Sequence, residues 1–283
     1  MDTPRPAPPA APSAPPASRF ADRLADAVAA AGAPLCVGLD PDPDRLPAPF
    51  AGAGAGGAAA FCRGVVEATA PHAAAYKPNL AFFEAYGAEG WGALADVCAA
   101  VRRAGRLLVL DGKRGDIGNT GRRYAAALYD QLGGDAATVA PYMGADSVAP
   151  FLEHPGRCAF VLVATSNPGG ADLQALDVGG GPLYRRVARL AVRAAEGLPG
   201  EPGFVVGATR PALLAGLRAE HPAVPFLVPG VGAQGGSAAE VLDANGGGPL
   251  LVNSSRGVLY ASGGADFAEA ARDAAADLAG RLR

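Results

Sequence analysis

Lysine is nearly absent from this chain. Among 24 basic residues only Lys77 and Lys113 are lysines, and Ile117 is the single isoleucine. With 40 glycines, 26 prolines and abundant alanine, this points to a coding bias that substitutes arginine wherever arginine serves. The two lysines therefore mark positions where a guanidinium would fail. A proton donor is such a position, because an ammonium releases a proton near neutral pH and a guanidinium does not.

Excess positive charge is missing too. The formal net charge is −3 and there is no basic run, which argues against nucleic acid and against an anionic membrane as partners. The three histidines, His72, His154 and His221, each stand beside a proline, and neither they nor the four cysteines fall at metal-ligand spacing. No metal is expected. Cys36, Cys62, Cys98 and Cys158 form no C-x-x-C pair and read as buried thiols of a reducing, cytoplasmic compartment. No apolar run is long enough to span a bilayer. Residues 1–17 are almost wholly proline, alanine and serine, lack a signal-peptide apolar segment and fit a transit peptide poorly. They read as a disordered tail ahead of one domain at residues 18–283.

What is present suffices for a full α/β core: 283 residues, 50% hydrophobic and 18% charged. Ser18 is placed to cap a helix whose stripe Phe20, Leu24, Val28 ends at Gly32. From Leu35 onward a short apolar segment, a polar or glycine-rich break and a helical stretch repeat. Strand candidates lie at 35–40, 73–79, 107–113, 137–142, 159–166, 203–209, 225–231 and 249–255. Helical patterns between them include 58–69, 81–104, 120–132, 183–196 and 237–244. About eight such β-then-α units predict a single (β/α)8 barrel rather than an open doubly wound sheet. A literal G-x-G-x-x-G at Gly52, Gly54 and Gly57 lies well past the first strand in Ala/Gly-rich sequence, and is poor evidence for a dinucleotide site.

In such a barrel, function gathers where the strands end. The unusual residues lie there: Asp40, Lys77 with Asn79, the run 111–120, Tyr142 with Met143, Ser166 with Asn167, 230–234 and 253–256. Plainer roles stand beside these: Asp40 as a turn cap, Asn79 as the cap of the helix beginning at Leu80, Ser166 as the opening of a loop. The third strand is the most informative. Side chains two apart share a face, so Val109, Asp111 and Lys113 point one way and Leu110 and Gly112 the other. Gly115 and Gly118 then turn the chain and bring Asp116 back toward the same spot, with Asn119 or Thr120 placed to cap the next helix. A solvated ion pair at a loop is the simpler alternative.

The last two strand ends have the chemistry of a phosphate cradle. P-G-V-G-A-Q-G-G at 229–236 offers backbone N–H groups little shielded by side chains, ahead of a helix start near Ser237. N-S-S-R-G at 253–257 adds Arg256, which suits two phosphate oxygens. The connection 167–182, glycine-flanked and long for a barrel, reads either as a lid or as a surface loop.

With D-G-K-R-G-D-I-G-N-T at 111–120, K-P-N-L-A-F-F-E at 77–84 and P-G-V-G-A-Q-G-G at 229–236 in view, the chain resembles the orotidine 5′-phosphate decarboxylase family, most closely its longer bacterial, type 2 branch. The resemblance runs from about Ser18 to the C-terminus. It implies decarboxylation of orotidine 5′-monophosphate to UMP, in pyrimidine biosynthesis, without a cofactor. It maps an alternating Lys-Asp-Lys-Asp array onto Lys77, Asp111, Lys113 and Asp116, with Lys113 protonating C6 of the pyrimidine and the carboxylates holding it charged. Asp40 and Lys77 would hold the ribose, with Asn79 beside them, Ser166 would meet the pyrimidine, and Gln234 and Arg256 the phosphate. Asp116 and Thr120 would reach into a partner subunit's site, which implies a homodimer with shared active sites.

Three rivals remain at this point. Related barrels acting on sugar phosphates share D-x-K-x-x-D but use Mg²⁺, with an acid where this chain has Lys77; a protonated lysine does not ligate Mg²⁺. A Schiff-base aldolase working through Lys113 is disfavoured by the two adjacent acids. A catalytically inert phosphate-binding barrel is disfavoured by the intact Lys/Asp array.

Overall fold

The apolar segments form eight parallel strands, each paired with the next: β1 (Leu35–Leu39), β2 (Ala75–Pro78), β3 (Leu107–Arg114), β4 (Ala136–Val139), β5 (Cys158–Ala164), β6 (Glu201–Val206), β7 (Phe226–Pro229) and β8 (Leu250–Ser254). β8 pairs back onto β1 through Leu35↔Val252 and Val37↔Ser254, so the sheet closes into the expected (β/α)8 barrel. The computed structural model describes residues 18–231 and 235–283; the proposed tail at 1–17 lies outside the described residues, as does 232–234. Among the described residues no helix is long and apolar enough to cross a membrane.

Alternation with a period of two sorts the side chains. Tyr76, Leu108, Leu110, Phe204 and Phe226 point outward and join the large cluster between sheet and helices. Cys36, Ala75, Val109, Phe160 and Leu227 face inward and fill the barrel. All four cysteines are buried and unpaired.

The helix Phe20–Ala31 ends, as its pattern predicts, at a left-handed Gly32 (φ 70°). It plugs the N-terminal mouth of the barrel: Phe20 and Leu24 belong to the inner cluster, and Phe20 meets Phe160 edge-on at 5.7 Å between ring centroids. Ser18 does not cap it. The helix starts after Arg19, and the carboxylate of Glu201, at the start of β6, accepts the N–H groups of Phe20 and Ala21 and pairs with Arg19. A distant acid at the positive end of the helix thus takes the role expected of a local hydroxyl.

Other helices differ at their ends. The pattern at 81–104 is two helices, Ala81–Glu84 and Ala88–Arg103, because the chain turns at Gly87 (φ 62°). The pattern at 120–132 starts earlier, as the helix Gly118–Ala126, and continues as a π-helical turn over Ala127–Gln131. Asn119 and Thr120 lie inside that helix and do not cap it; the capping position is Ile117, which has no side-chain oxygen. The helix Gly54–Thr69 absorbs Gly54 and Gly57, so the G-x-G-x-x-G is no phosphate-binding turn. Ser237 does cap the helix Ala238–Asn245, accepting the N–H of Glu240.

Phe20→Ala removes the largest part of the plug and is expected to lower the unfolding free energy by about 3–5 kcal/mol. Urea unfolding checks it; a change below about 1 kcal/mol, the size of an ordinary surface substitution, would show that this helix does not seal the barrel.

Candidate active site

β3 carries the centre of the site. Its inward residues run Leu107, Val109, Asp111, so a hydrophobic face turns into a carboxylate at its C-terminal end. Lys77, on the inward face of β2, places its Nζ 2.6 Å from Asp111 Oδ2, and Lys113 places its own 2.7 Å from Asp111 Oδ1. Each carboxylate oxygen thus accepts from one ammonium. The side chains of Lys77 and Asp111 are 6% and 9% exposed, against 51% for Lys113, which therefore reaches into open space. Backbone bonds hold the strand ends in step: Asn79 N–H donates to Leu39 O and Leu80 N–H to Asp111 O, both at 3.2 Å.

Burial acts on both members of the inner pair and is overcome in both. It pushes the Asp111 carboxyl up, but Lys77 first and then Lys113 hold it well below the usual carboxylate range. It pushes the Lys77 ammonium down, but Asp111 and then Asp40 keep it above an ordinary lysine. Cys36, directly beneath, is pushed up to about 12 chiefly by its own burial and stays a neutral thiol.

Asp116 is not part of this chain of charges. No ion pair joins it to Lys113, and its carboxylate accepts the N–H of Ile117 at 2.8 Å. Thr120 is exposed on the helix that follows. Within this chain the joined charges are therefore Lys77, Asp111 and Lys113, and Asp116, expected near the same spot, makes no ion pair or hydrogen bond to them.

Two clefts share Lys77, Asp111 and Pro229. One contains Asp40, Asn79, Asn253 and Arg256. There Asp40 Oδ1 and Asn253 Oδ1 are buried acceptors without a hydrogen-bond partner, a setting that calls for hydroxyl or amine donors. Asn79 does not cap a helix beginning at Leu80: the helix is Ala81–Glu84 with Leu80 at its capping position, and Asn79 Oδ1 accepts the N–H of Ala81 from one residue further out. The other cleft contains Lys113, Thr138 and Ser166, with Leu162, Val205 and Leu227 as apolar walls. A flat, largely apolar group with a few polar edges fits the second cleft, and a polyhydroxylated anionic group the first.

Gly230 (φ 103°) opens the loop after β7, and the loop closes where Gly236 N–H donates to Gly230 O at 3.2 Å. Gln234 lies outside the described residues. Arg256 begins a short helix after β8, at the rim of the first cleft. The 167–182 connection is not without structure: it holds a turn at Pro168–Gly170, a helix Ala171–Gln174 and an antiparallel bridge Asp177↔Pro182. Gln174 ties it down beside Ser166, donating to Thr165 Oγ1 at 2.9 Å and accepting Thr165 N–H at 2.8 Å. Among the described residues no three His, Cys, Asp or Glu side chains gather to hold a metal ion.

Two residues escaped the sequence analysis. Tyr260 donates to Asp40 O and accepts the N–H of Asp42, both at 2.7 Å, which fixes the loop carrying Asp40. Nothing local signals it, since it lies 220 residues from Asp40. Thr138 donates to Asp111 Oδ1 at 2.8 Å. Here a signal existed: with Ala136 facing inward, the period of two puts Thr138 inward as well, a lone hydroxyl in the same layer as Asp111.

The model of the orotidine 5′-phosphate decarboxylase / HUMPS family matches residues 33–273. The chain belongs to this family. It is 49% identical over 248 residues to the orotidine 5′-phosphate decarboxylase of Roseiflexus castenholzii, covering 86% of this chain and 90% of that protein. It is 48% identical over 249 residues to the enzyme of the same name from Delftia acidovorans, covering 85% and 89%. Among solved structures it is similar to the Leishmania donovani OMP decarboxylase, with a TM-score of 0.79, 42% identity, and coverage of 92% of this chain and 98% of that one. The closed barrel described above thus superposes on a solved structure over nearly its whole length.

The depressed carboxyl of Asp111 has a consequence for stability. Its contribution is fully present above the ordinary aspartate pKa of about 3.9 and is lost as pH falls below that toward the lower folded value. Lys77 behaves oppositely: its contribution is complete below about 10.4 and is lost as pH rises beyond. Urea midpoints of the parent are therefore expected to fall more steeply below about pH 4 than those of Asp111→Asn. Parallel acid limbs in the two proteins would overturn this.

Proposed function

We propose that this site removes the carboxylate of orotidine 5′-monophosphate as carbon dioxide, leaving UMP, with Lys113 delivering the proton to C6. The decarboxylase activity is that of the relatives named above, which match nearly the whole described chain. The observation that carries the residue assignment is the buried Lys77–Asp111 pair with the half-exposed Lys113 ammonium held 2.7 Å from the same carboxylate.

The chemistry follows from that arrangement. When the C6–carboxylate bond breaks, its electron pair stays on C6. An ammonium already at that place stabilises the developing charge, and its proton then forms the new C6–H bond. Lys113 is left as an amine and regains a proton from water. Asp111 cannot take that proton readily, since its carboxyl is held well below the usual range by Lys77 and Lys113 together after burial is overcome. The pyrimidine lies in the cleft with Leu162, Val205 and Leu227, against Ser166. The ribose hydroxyls meet Asp40, Asn79, Asn253 and Lys77, and the phosphate meets Arg256 and the 230–236 loop, Gln234 included. Binding energy from the phosphate end supports ordering of the 167–182 connection over the site, which raises the rate of a step it does not touch.

A magnesium-dependent sugar-phosphate reaction in the same family is less compatible with Lys77, whose ammonium sits 2.6 Å from Asp111 in the place where that chemistry needs an acid. We take the reaction to need neither metal nor cofactor. The substrate is a small molecule, not nucleic acid or membrane, and four buried thiols fit the reducing cytoplasm.

The site is completed by a second copy of the chain. Lys113 has one carboxylate neighbour where the mechanism calls for two, while Asp116 is half-buried beside exposed Ile117. Exposed Tyr142 and Met143 lie on the following loop, which packs close to Gly115. Burying those apolar residues between two copies carries Asp116 and Thr120 into the partner's site.

Lys113→Ala is expected to fold and to lose turnover by a factor on the order of 10³ or more. Absorbance decay of orotidine 5′-monophosphate with chelator present measures it. Near-parent turnover would overturn the donor assignment, and activity that appears only with Mg²⁺ would favour the sugar-phosphate reaction. Mixing inactive Lys113→Ala with inactive Asp116→Ala protein is expected to restore activity, because a mixed dimer holds one site with both native residues. No recovery after confirmed subunit exchange would place Asp116 in its own protomer's site.

A further inference from the structure

β3 and β4 fall out of register at the site. Leu110 pairs with Ala137 and Arg114 with Val139, so the three residues 111–113 oppose Thr138 alone. Such a bulge bends the strand and re-aims its side chains. Its strain shows at Lys113, whose φ of 46° is the only positive value at a non-glycine among the described residues. A left-handed backbone at a residue with a side chain costs roughly 1–2 kcal/mol, and glycine is the residue that adopts it without that cost. Glycine would have no ammonium to offer.

Thr138 supplies what the broken ladder lacks. Its Oγ1 accepts the Lys113 N–H at 2.9 Å, and its hydroxyl proton goes to Asp111 Oδ1 at 2.8 Å. The directions are forced, since an amide only donates and an ionised carboxylate only accepts. Asp111 Oδ1 is also the oxygen that receives Lys113 Nζ at 2.7 Å. A ring therefore closes from the Lys113 backbone through Thr138 and Asp111 to the Lys113 ammonium. Thr138 is 2% exposed, so water does not compete for these bonds.

We infer that Thr138 is a positioning residue for Lys113, holding its strained backbone and its carboxylate partner in one geometry. The inference rests on the reading of Lys113 as proton donor. Thr138→Val keeps the shape of the side chain and removes both bonds, while Thr138→Ser keeps the hydroxyl. Thr138→Val is expected to lower kcat roughly ten- to hundredfold, the size of effect that losing a hydrogen bond to a charged group has, with KM nearly unchanged. Thr138→Ser is expected to recover most of kcat. A role in packing alone would instead spare Thr138→Val, or would impair both variants alike; either result overturns the inference, as does a loss expressed in KM. If Thr138→Val fails to unfold cooperatively, Thr138→Ala is compared with Thr138→Ser by the same criteria. Lys113→Ala is measured alongside. Activity in that variant overturns the donor reading itself, whereas an inactive Lys113→Ala beside an unimpaired Thr138→Val overturns only the role of Thr138.

Discussion

Everything at the top of this barrel depends on keeping one buried carboxylate ionised. Removing Asp111 from water costs several kcal/mol, and its attraction to neighbouring cations offsets that only if the geometry is close and the remaining lone pairs are used. The structure meets both conditions: Lys77 on one oxygen, Lys113 on the other, and Thr138 as an additional donor. Asp40 adds its field to Lys77 and so supports the pair from the other side. Without the two ammonium groups the acid would stay protonated, and without the acid two cations would crowd one pocket. Strand geometry, the bulge and the choice of lysine over arginine all serve that arrangement.

The barrel separates this demand from its own stability. Along β2 and β3 the inward positions read Ala75 then Lys77, and Leu107, Val109 then Asp111, so small or apolar residues sit below and charge only at the top. Cys36 lies in the layer beneath as a neutral thiol pushed up to about 12 by burial, adding no charge to compete with Asp111. At the opposite mouth the plug of Phe20 and Leu24, tied to Glu201, closes the core far from the chemistry. This is the division the barrel fold generally makes, with stability at the N-terminal face and function at the C-terminal face.

Features with a local cause were legible in the sequence. Eight strands followed from short apolar runs, the inward set of β3 from its period of two, and the helix ends at Gly32 and Ser237 from caps that act within one turn. What was missed acts at a distance. Glu201 caps a helix 181 residues earlier, and Tyr260 holds a loop 220 residues earlier, so no window around Ser18 or Asp40 contains them. The break at Gly87, where φ reaches 62°, and the π-helical turn over Ala127–Gln131 both interrupt patterns that a period of 3.6 reads as continuous helix. Thr138 is the intermediate case: its inward direction was readable, but its importance depends on a register slip between strands that only the paired structure contains.

That slip also explains the spacing D-x-K. On a regular strand Asp111 and Lys113 would stand side by side at the two-residue repeat and point along parallel lines. The left-handed turn at Lys113 instead lets its backbone bend away while its ammonium comes back to the same carboxylate, leaving half of the side chain open to the cleft. A proton donor needs both properties, an anchored charge and an accessible proton. Beyond the bend Asp116 bonds its own neighbour, exposed Ile117, rather than Lys113. On the shared-site reading, one local distortion thus sets the donor's geometry, and the second acid that Lys113 lacks comes from another copy of the chain.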